Sequence, residues 1–224
     1  MPAITPWSGA TPAFAALNSF RTLICLAERR CTVCGTKLPS GPVYRVVDGE
    51  AADLIEAVLK AGSSYVNLAP SSEGPGHRAC MLYSAMVCPH LSSSGARRTA
   101  ESTTGTQTLP KGDPRGPSAA VVGYDSFNWK VGERSLEIFF GQPVELLRYA
   151  EGADLADELQ AEIAREQGPA QPCPEYLMND NAKAEQAARD IIAGGGYQAG
   201  ATRQQEQARR NRRKAARSAR RKRR

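Results

Sequence analysis

Two pairs of residues in this 224-residue chain have the types and spacing of metal ligands. The first lies in Cys31-Thr32-Val33-Cys34-Gly35, two thiols three positions apart with a glycine directly after them. Thiolates at that spacing reach one ion at ~2.3 Å when the chain between them turns tightly. Gly35 supplies the φ > 0 geometry that lets backbone N–H groups approach the sulfurs. The second pair is His77 and Cys80, in Gly76-His77-Arg78-Ala79-Cys80. On the first turn of a helix, positions i and i+3 project from the same side. The positive helix end also favours a thiolate. The expectation is one structural Zn2+ ion held by Cys31, Cys34, His77 and Cys80.

Other readings compete at these positions. A redox Cys-x-x-Cys normally opens a helix after a strand in a βαβ unit, whereas Gly35 and a strand-like stretch follow here. Ordinary buried thiols are common, but they do not account for two pairs that both have ligand spacing. In Cys88-Pro89-His90, either Cys88 or His90 is an alternative metal ligand in place of His77. Cys88 lies about two helical turns beyond Cys80, which disfavours it. Cys25 and Cys173 have no partner at useful spacing and read as structural. A metal-dependent nuclease on such a finger needs a general-base histidine on the strand after the knuckle. That stretch, Val43-Tyr44-Arg45-Val46-Val47-Asp48, contains none. A zinc with four protein ligands also keeps no open position for water, so no enzyme activity is expected.

The elements that must carry these residues follow from periodicity. Residues 1–20 read as a flexible N-terminal arm, and 21–30 as a short helix or strand. Residues 42–47 alternate as a strand and end at the turn Asp48-Gly49. Residues 50–61 place Ala51, Leu54, Ile55, Val58 and Leu59 on one helical face, stopped by Gly62. Tyr65–Ala69 is a short apolar segment. His77–Val87 forms a second helix, with Leu82, Ala85 and Met86 on one face and a stop before Pro89. Residues 92–118, rich in Ser, Thr, Gly and Pro, read as a linker. Ala119–Tyr124 and Leu136–Phe140 are strand-like, with a turn-rich stretch around Trp129 between them. Pro143 suits the first residue of a helix. Ala153–Glu166 and 175–193 read as helices, with Gly168 ending the first and Gly194–Gly196 a hinge after the second.

The expected fold is therefore α+β. A small treble-clef-like zinc module with an inserted helix occupies 21–91, a small α+β or helical unit occupies 119–193, and a hinge and disordered basic tail occupy 194–224.

Charge divides the chain unequally. Residues 203–224 hold 12 Lys/Arg against one Glu, a balance of +11, while the other 202 residues hold 17 Lys/Arg against 22 Asp/Glu, a balance of −5. The basic stretch contains Arg203, Arg209, Arg210, Arg212, Arg213, Lys214, Arg217, Arg220, Arg221, Lys222, Arg223 and Arg224. Such a segment repels itself in isolation and is relieved against phosphates, with steep salt dependence. With no aromatic interleaved, it has nothing to stack on bases. Non-specific nucleic-acid binding is the expected function, and a zinc-module adaptor binding a protein partner is the alternative. No run of ~18 apolar residues is present, and the first residues lack the basic n-region of a secretory signal. The expected setting is cytoplasmic, in association with the nucleoid if DNA is the partner.

The segment Ile4-Thr5-Pro6-Trp7-Ser8-Gly9, the knuckle CTVCG at 31–35, GPGHRAC at 74–80 and CPHL at 88–91 resemble a group of uncharacterised actinobacterial and actinophage proteins. The resemblance covers about residues 1–125 and rests mainly on the cysteine pattern. It implies a bacterial, cytoplasmic, zinc-binding protein and brings no activity, substrate or catalytic residue. In many members of such a group a Cys is expected in the slot filled here by His77.

Overall fold

A strand without polar alternation has to be covered on both faces, and Ala119–Tyr124 carries no charged or amide side chain. In the computed structural model this segment is the middle of the main sheet. The structure describes residues 2–9, 11–13, 16–65, 70–98, 102–104, 107–131, 136–165, 172–178 and 180–194. Its elements run β1 (Trp7–Ser8), β2 (Thr11–Pro12), α1 (Ser19–Ala27), β3 (Val43–Asp48), α2 (Gly49–Ala61), α3 (Arg78–Val87), β4 (Ser102–Thr104), β5 (Gln107–Leu109), β6 (Ala119–Tyr124), β7 (Phe127–Val131), β8 (Leu136–Phe140), β9 (Pro143–Tyr149), α4 (Ala156–Arg165) and α5 (Asn181–Ala193). Single 3-10 turns precede α4 and α5, at Gly152–Leu155 and Glu175–Leu177. The fold class is α+β.

The main sheet is antiparallel with order β3-β6-β9, and every residue of β6 is buried. Alternate side chains of β6 feed two cores. Ala120, Val122 and Tyr124 join α1, α2, α5 and the β7–β8 hairpin on one face. Ala119 and Val121 join Val46, Met81, Leu82, Ala85, Tyr149 and Leu155 on the other. Val46 faces the α3 side and Val47 the α2 side, as successive strand residues must. Residues 21–91 and 119–193 thus share one sheet and both cores, because β3 of the first pairs along its full length with β6 of the second.

Several expectations are corrected. Pro143 begins a strand rather than a helix. As the first residue of an edge strand it is not required to donate to the ladder, and Val144–Tyr149 supplies side chains to the sheet faces. The stretch around Trp129 is β7, paired antiparallel with β8 so that Phe127 faces Phe140 and Trp129 faces Ile138. Asp48-Gly49 is not a free turn: the Asp48 side chain accepts from Ala51 N–H at 2.8 Å and caps α2. On α2 the buried positions are Ala52 and Ile55, while Leu54 is 64% exposed. The helix is rotated so that small Ala52 approaches the sheet and Asp53 and Glu56 meet Arg148 of β9.

Residues 92–118 contain the β4–β5 hairpin and are closed at its base. Arg98 N–H donates to Asp113 O at 3.0 Å, Gly112 N–H to Arg98 O at 2.9 Å, and Arg115 N–H to Ala96 O at 3.0 Å. Low apolar content marks this segment as external without preventing backbone pairing. Three expected features lie wholly or partly outside the described residues: the apolar segment 65–69 beyond Tyr65, Gly168, and the hinge with the basic tail from Gly195 onward.

The N-terminal arm is also ordered where described. Ala3 N–H donates to Val33 O at 2.8 Å, and Ala3, Ile4 and Thr5 are buried. Trp7 is clamped by Asn181: its N–H donates to Asn181 Oδ1 at 3.3 Å and its carbonyl accepts from Asn181 Nδ2 at 2.6 Å. The same Oδ1 accepts from Arg21 Nε at 3.3 Å. Arg21 is fully buried with its Nη1 on Leu177 O and Ala3 O, so carbonyl dipoles rather than a carboxylate solvate it, and burial lowers its pKa. Asn181→Ala removes the three hydrogen bonds and strands Arg21 Nε. A loss of about 2–3 kcal/mol is expected in chemical denaturation, with the denaturant slope unchanged.

Candidate metal centre

Helix α1 delivers the knuckle. Asn18 caps it by accepting from Arg21 N–H at 3.1 Å, and the chain reverses at Arg29, the described non-glycine residue with positive φ, 48°. An antiparallel bridge between Arg30 and Lys37 then closes a miniature hairpin. Within it Cys31 N–H donates to Thr36 O at 2.8 Å and Gly35 N–H to Cys31 O at 2.9 Å. Val33 N–H points at Cys31 Sγ at 3.4 Å. Gly35 has φ +75°, a region that side chains rarely enter.

The second pair is brought alongside by backbone pairing. Tyr44 of β3 and Gly76 exchange two hydrogen bonds, both 2.9 Å. Thr32 of the knuckle donates its N–H to Pro75 O at 3.0 Å, with its hydroxyl also directed at Gly74 O and Pro75 O. Ser71 bridges Ile138 of β8, holding the start of this loop. A Cβ at Gly76 would lie 2.2 Å from Met81 Cε and 3.3 Å from Cys31 Sγ, so the close approach of this loop to the cluster uses the absence of a side chain. His77 is the N-cap residue of α3 with extended backbone, and its side chain makes no cap. That leaves the imidazole free to face the knuckle, one turn before Cys80.

The ligand atoms of Cys31, Cys34, His77 and Cys80 all lie within 4.8 Å of one another, a group that can hold one metal ion. His77 Nδ1 is 3.4 Å from Cys34 Sγ and 3.8 Å from Cys80 Sγ. His77 Nε2 lies 2.9 Å from Lys37 O. A proton on Nε2 donated to that carbonyl leaves Nδ1 directed at the sulfurs, the arrangement in which an outer carbonyl fixes a ligand tautomer. Cys34 Sγ also lies 3.1 Å from Thr36 Oγ1. Cys31 is buried and the other three ligands are half-buried. As thiols and imidazole alone, these groups share protons. Hydrogen bonding from Cys31 and then Cys80 holds Cys34 far below the usual thiol range. Cys80 is pushed far above it by its hydrogen bonds to Cys31 and Cys34. His77 is raised to about 11, first by hydrogen bonding to Cys31 and Cys34.

Arg78, next to His77, anchors the ligand helix. It pairs with Glu145 of β9 at 2.8 Å and with Glu158 and Glu162 of α4 at 3.0 and 3.2 Å. Tyr44 Oη donates to the same Glu145 at 3.0 Å. The residue that positions Gly76 through its backbone therefore also supports the Arg78 network.

Neither alternative ligand belongs to the cluster. Cys88 is the C-cap residue of α3, about 12 Å along the axis from Cys80. His90 lies in the turn after α3, its Nδ1 buried without a hydrogen-bond partner among the described residues. Its pKa is lowered by burial and then by Arg98. Arg203 to Arg224 lie outside the described residues. Sequence reasoning did not single out Arg78, Thr32 or the tyrosine–glycine pairing, and it assigned Cys173 no place near the cluster. The Cys173 sulfur instead lies over Gly35, 2.3 Å from where a Cβ would stand. No local spacing connects those two positions.

Comparison of the chain with protein-family models, curated proteins and solved structures found no match.

Metal analysis of purified variants tests the ligand set. Cys34→Ser and Cys80→Ser are expected to lose the bound ion, whereas Cys88→Ala and His90→Ala are expected to retain about one per chain.

Proposed function

We propose that this chain is a non-enzymatic protein in which one zinc ion stabilises the fold and the basic segment 203–224 binds nucleic acid through its phosphates. The observation that carries the zinc assignment is the donor set with its spacing. Three sulfurs and one imidazole nitrogen around Zn2+ would be separated by ~3.6–3.8 Å along tetrahedral edges. The His77 Nδ1 distances of 3.4 and 3.8 Å to two of the sulfurs fit that shape. Four protein donors close the coordination, and β3 carries no histidine to act as a base. Both features support a structural rather than a hydrolytic ion. The order of knuckle, β3 and ligand helix α3, with α2 between them, supports a treble-clef-like reading.

Zinc binds thiolate and neutral imidazole, so protons compete with it. A His77 raised to about 11 in the absence of an ion has to give up a proton on binding. Because each displaced proton makes affinity rise with pH, the stability the ion contributes weakens continuously as pH falls from the alkaline range. Titration from pH 8 toward 5 with a chromophoric chelator is expected to show zinc release accompanied by loss of thermal stability.

Nucleic-acid binding is supported by the balance of +11 over residues 203–224 beside a body of −5. A charge arrangement of this kind draws phosphates to one segment and gives affinity without base readout. Among the described residues no helix is long and apolar enough to cross a membrane. A second reading, protein adaptor, is favoured by an apolar groove of about 410 Å3 beside the cluster, lined by Val33, Cys34, Ala79, Cys80, Tyr83, Leu159 and Ile163. One comparison separates the readings. Removal of residues 203–224 is expected to abolish retention of duplex DNA and single-stranded RNA at low salt. The intact chain is expected to lose about 10³-fold or more in affinity between 50 and 200 mM salt. Undiminished retention by the shortened chain overturns the proposal, and a stoichiometric protein partner that survives nuclease treatment favours the adaptor.

A further inference from the structure

A glycine in the left-handed region leaves space beside the chain, and at Gly35 that space is filled by a thiol from the far end of the described fold. A Cβ there would meet Cys173 Sγ at 2.3 Å and Cys173 Cβ at 3.3 Å. The adjacent residue is the ligand Cys34. Cys34 and Cys173, both half-buried, line the same surface cavity of about 330 Å3, large enough to admit a small oxidant. The segment carrying Cys173 is held in place on its C-terminal side. Tyr176 Oη donates to Glu28 Oε1 at 2.8 Å, and Leu177 O accepts from buried Arg21. The Cys173 thiol makes a long contact, 3.7 Å, to Pro174 O. The other free thiols are placed differently: Cys25 is fully buried, and Cys88 stands at the far end of α3.

We propose that Cys173 is a modification site, a fourth thiol beside the three ligand thiols that forms a disulfide with Cys34 in the presence of a peroxide and thereby discharges the metal ion. The inference rests on the zinc reading. Burial raises the Cys173 thiol above its ordinary range, so the first step runs through its minor thiolate fraction, which attacks one peroxide oxygen. The O–O bond breaks, water leaves after protonation, and a sulfenic acid remains on Cys173. Cys34 sulfur then attacks the Cys173 sulfur: the S–S bond forms, the S–O bond breaks, and the departing hydroxide takes a proton to become water. Two thiols and one hydrogen peroxide become one disulfide and two waters. The sulfurs are oxidised and the peroxide is reduced. The ion, left with Cys31, His77 and Cys80, loses a quarter of its donors, and a thiol reductant with added zinc restores the site.

The test uses the full chain loaded with zinc and treated with hydrogen peroxide. Zinc release is followed with a chromophoric chelator, and disulfides are located by peptide mass mapping. The wild-type chain is expected to release its zinc and yield a Cys34–Cys173 peptide pair two hydrogens lighter than the reduced peptides. Cys173→Ser is expected to retain zinc at the same peroxide dose, with release slowed about tenfold or more. Cys173→Ala, with thermal melting as a check on the fold, guards against a defect specific to serine. Release from both variants at the wild-type rate overturns the proposal, as does a wild-type disulfide confined to Cys31 and Cys34. Zinc content measured before oxidation reports separately on the underlying reading. A chain that binds no zinc overturns that reading, and the peptide map then decides the Cys34–Cys173 bond alone.

Discussion

Two backbone hydrogen bonds between Tyr44 and Gly76 decide where the second half of the metal cluster enters the fold. Tyr44 sits in β3, so its position is inherited from the register of that strand against β6. Gly76 is the residue before His77, so its position determines the start of α3. The short ladder therefore transmits the register of the sheet to the cluster. The phenol of Tyr44 reaches Glu145, which holds Arg78 on the helix that carries Cys80. One side chain and its own backbone thus place both ligands of the second pair.

The sheet can impose this register because β6 is closed in on both faces. A one-residue slip would exchange Ala120, Val122 and Tyr124 with Ala119 and Val121 between cores of different shape. The α1, α2 and α5 side takes the large Tyr124, and the α3 side receives smaller residues against Leu82 and Ala85. A metal ion held by the cluster would link the knuckle that follows α1 to α3. Its contribution to stability would come from joining segments that the unfolded chain keeps apart.

How much could be read beforehand depended on how local each signal was. The knuckle and the His77–Cys80 pair were legible because metal geometry is expressed in spacings of two or three residues. The end of α3 before Pro89 was legible because proline excludes the preceding residue from the helix. Pro143 misled because the same fixed φ suits the first residue of a helix and of an edge strand. The position of β9 beside β6 settled the matter. Leu54 misled because helical periodicity locates an apolar stripe without its exact rotation, and Ala52 proved to be buried beside Ile55 while Leu54 faces outward. Residues 92–118 were read as a linker because hairpin pairing there runs through the backbone, which composition does not report.

By itself, the sequence determined the chemistry on offer: which donors exist, which pairs can share an ion, and that basic charge gathers in residues 203–224. These are properties of residue type and short spacing, and no folding partner can alter them. The tertiary structure decided which candidates meet. It brought Cys31 and Cys34 to His77 and Cys80, and left Cys88 and His90 outside the cluster. It also laid Cys173 against Gly35. Contacts between distant segments depend on sheet register and on which helix face finds room against the core, and those are settled by packing the whole chain at once.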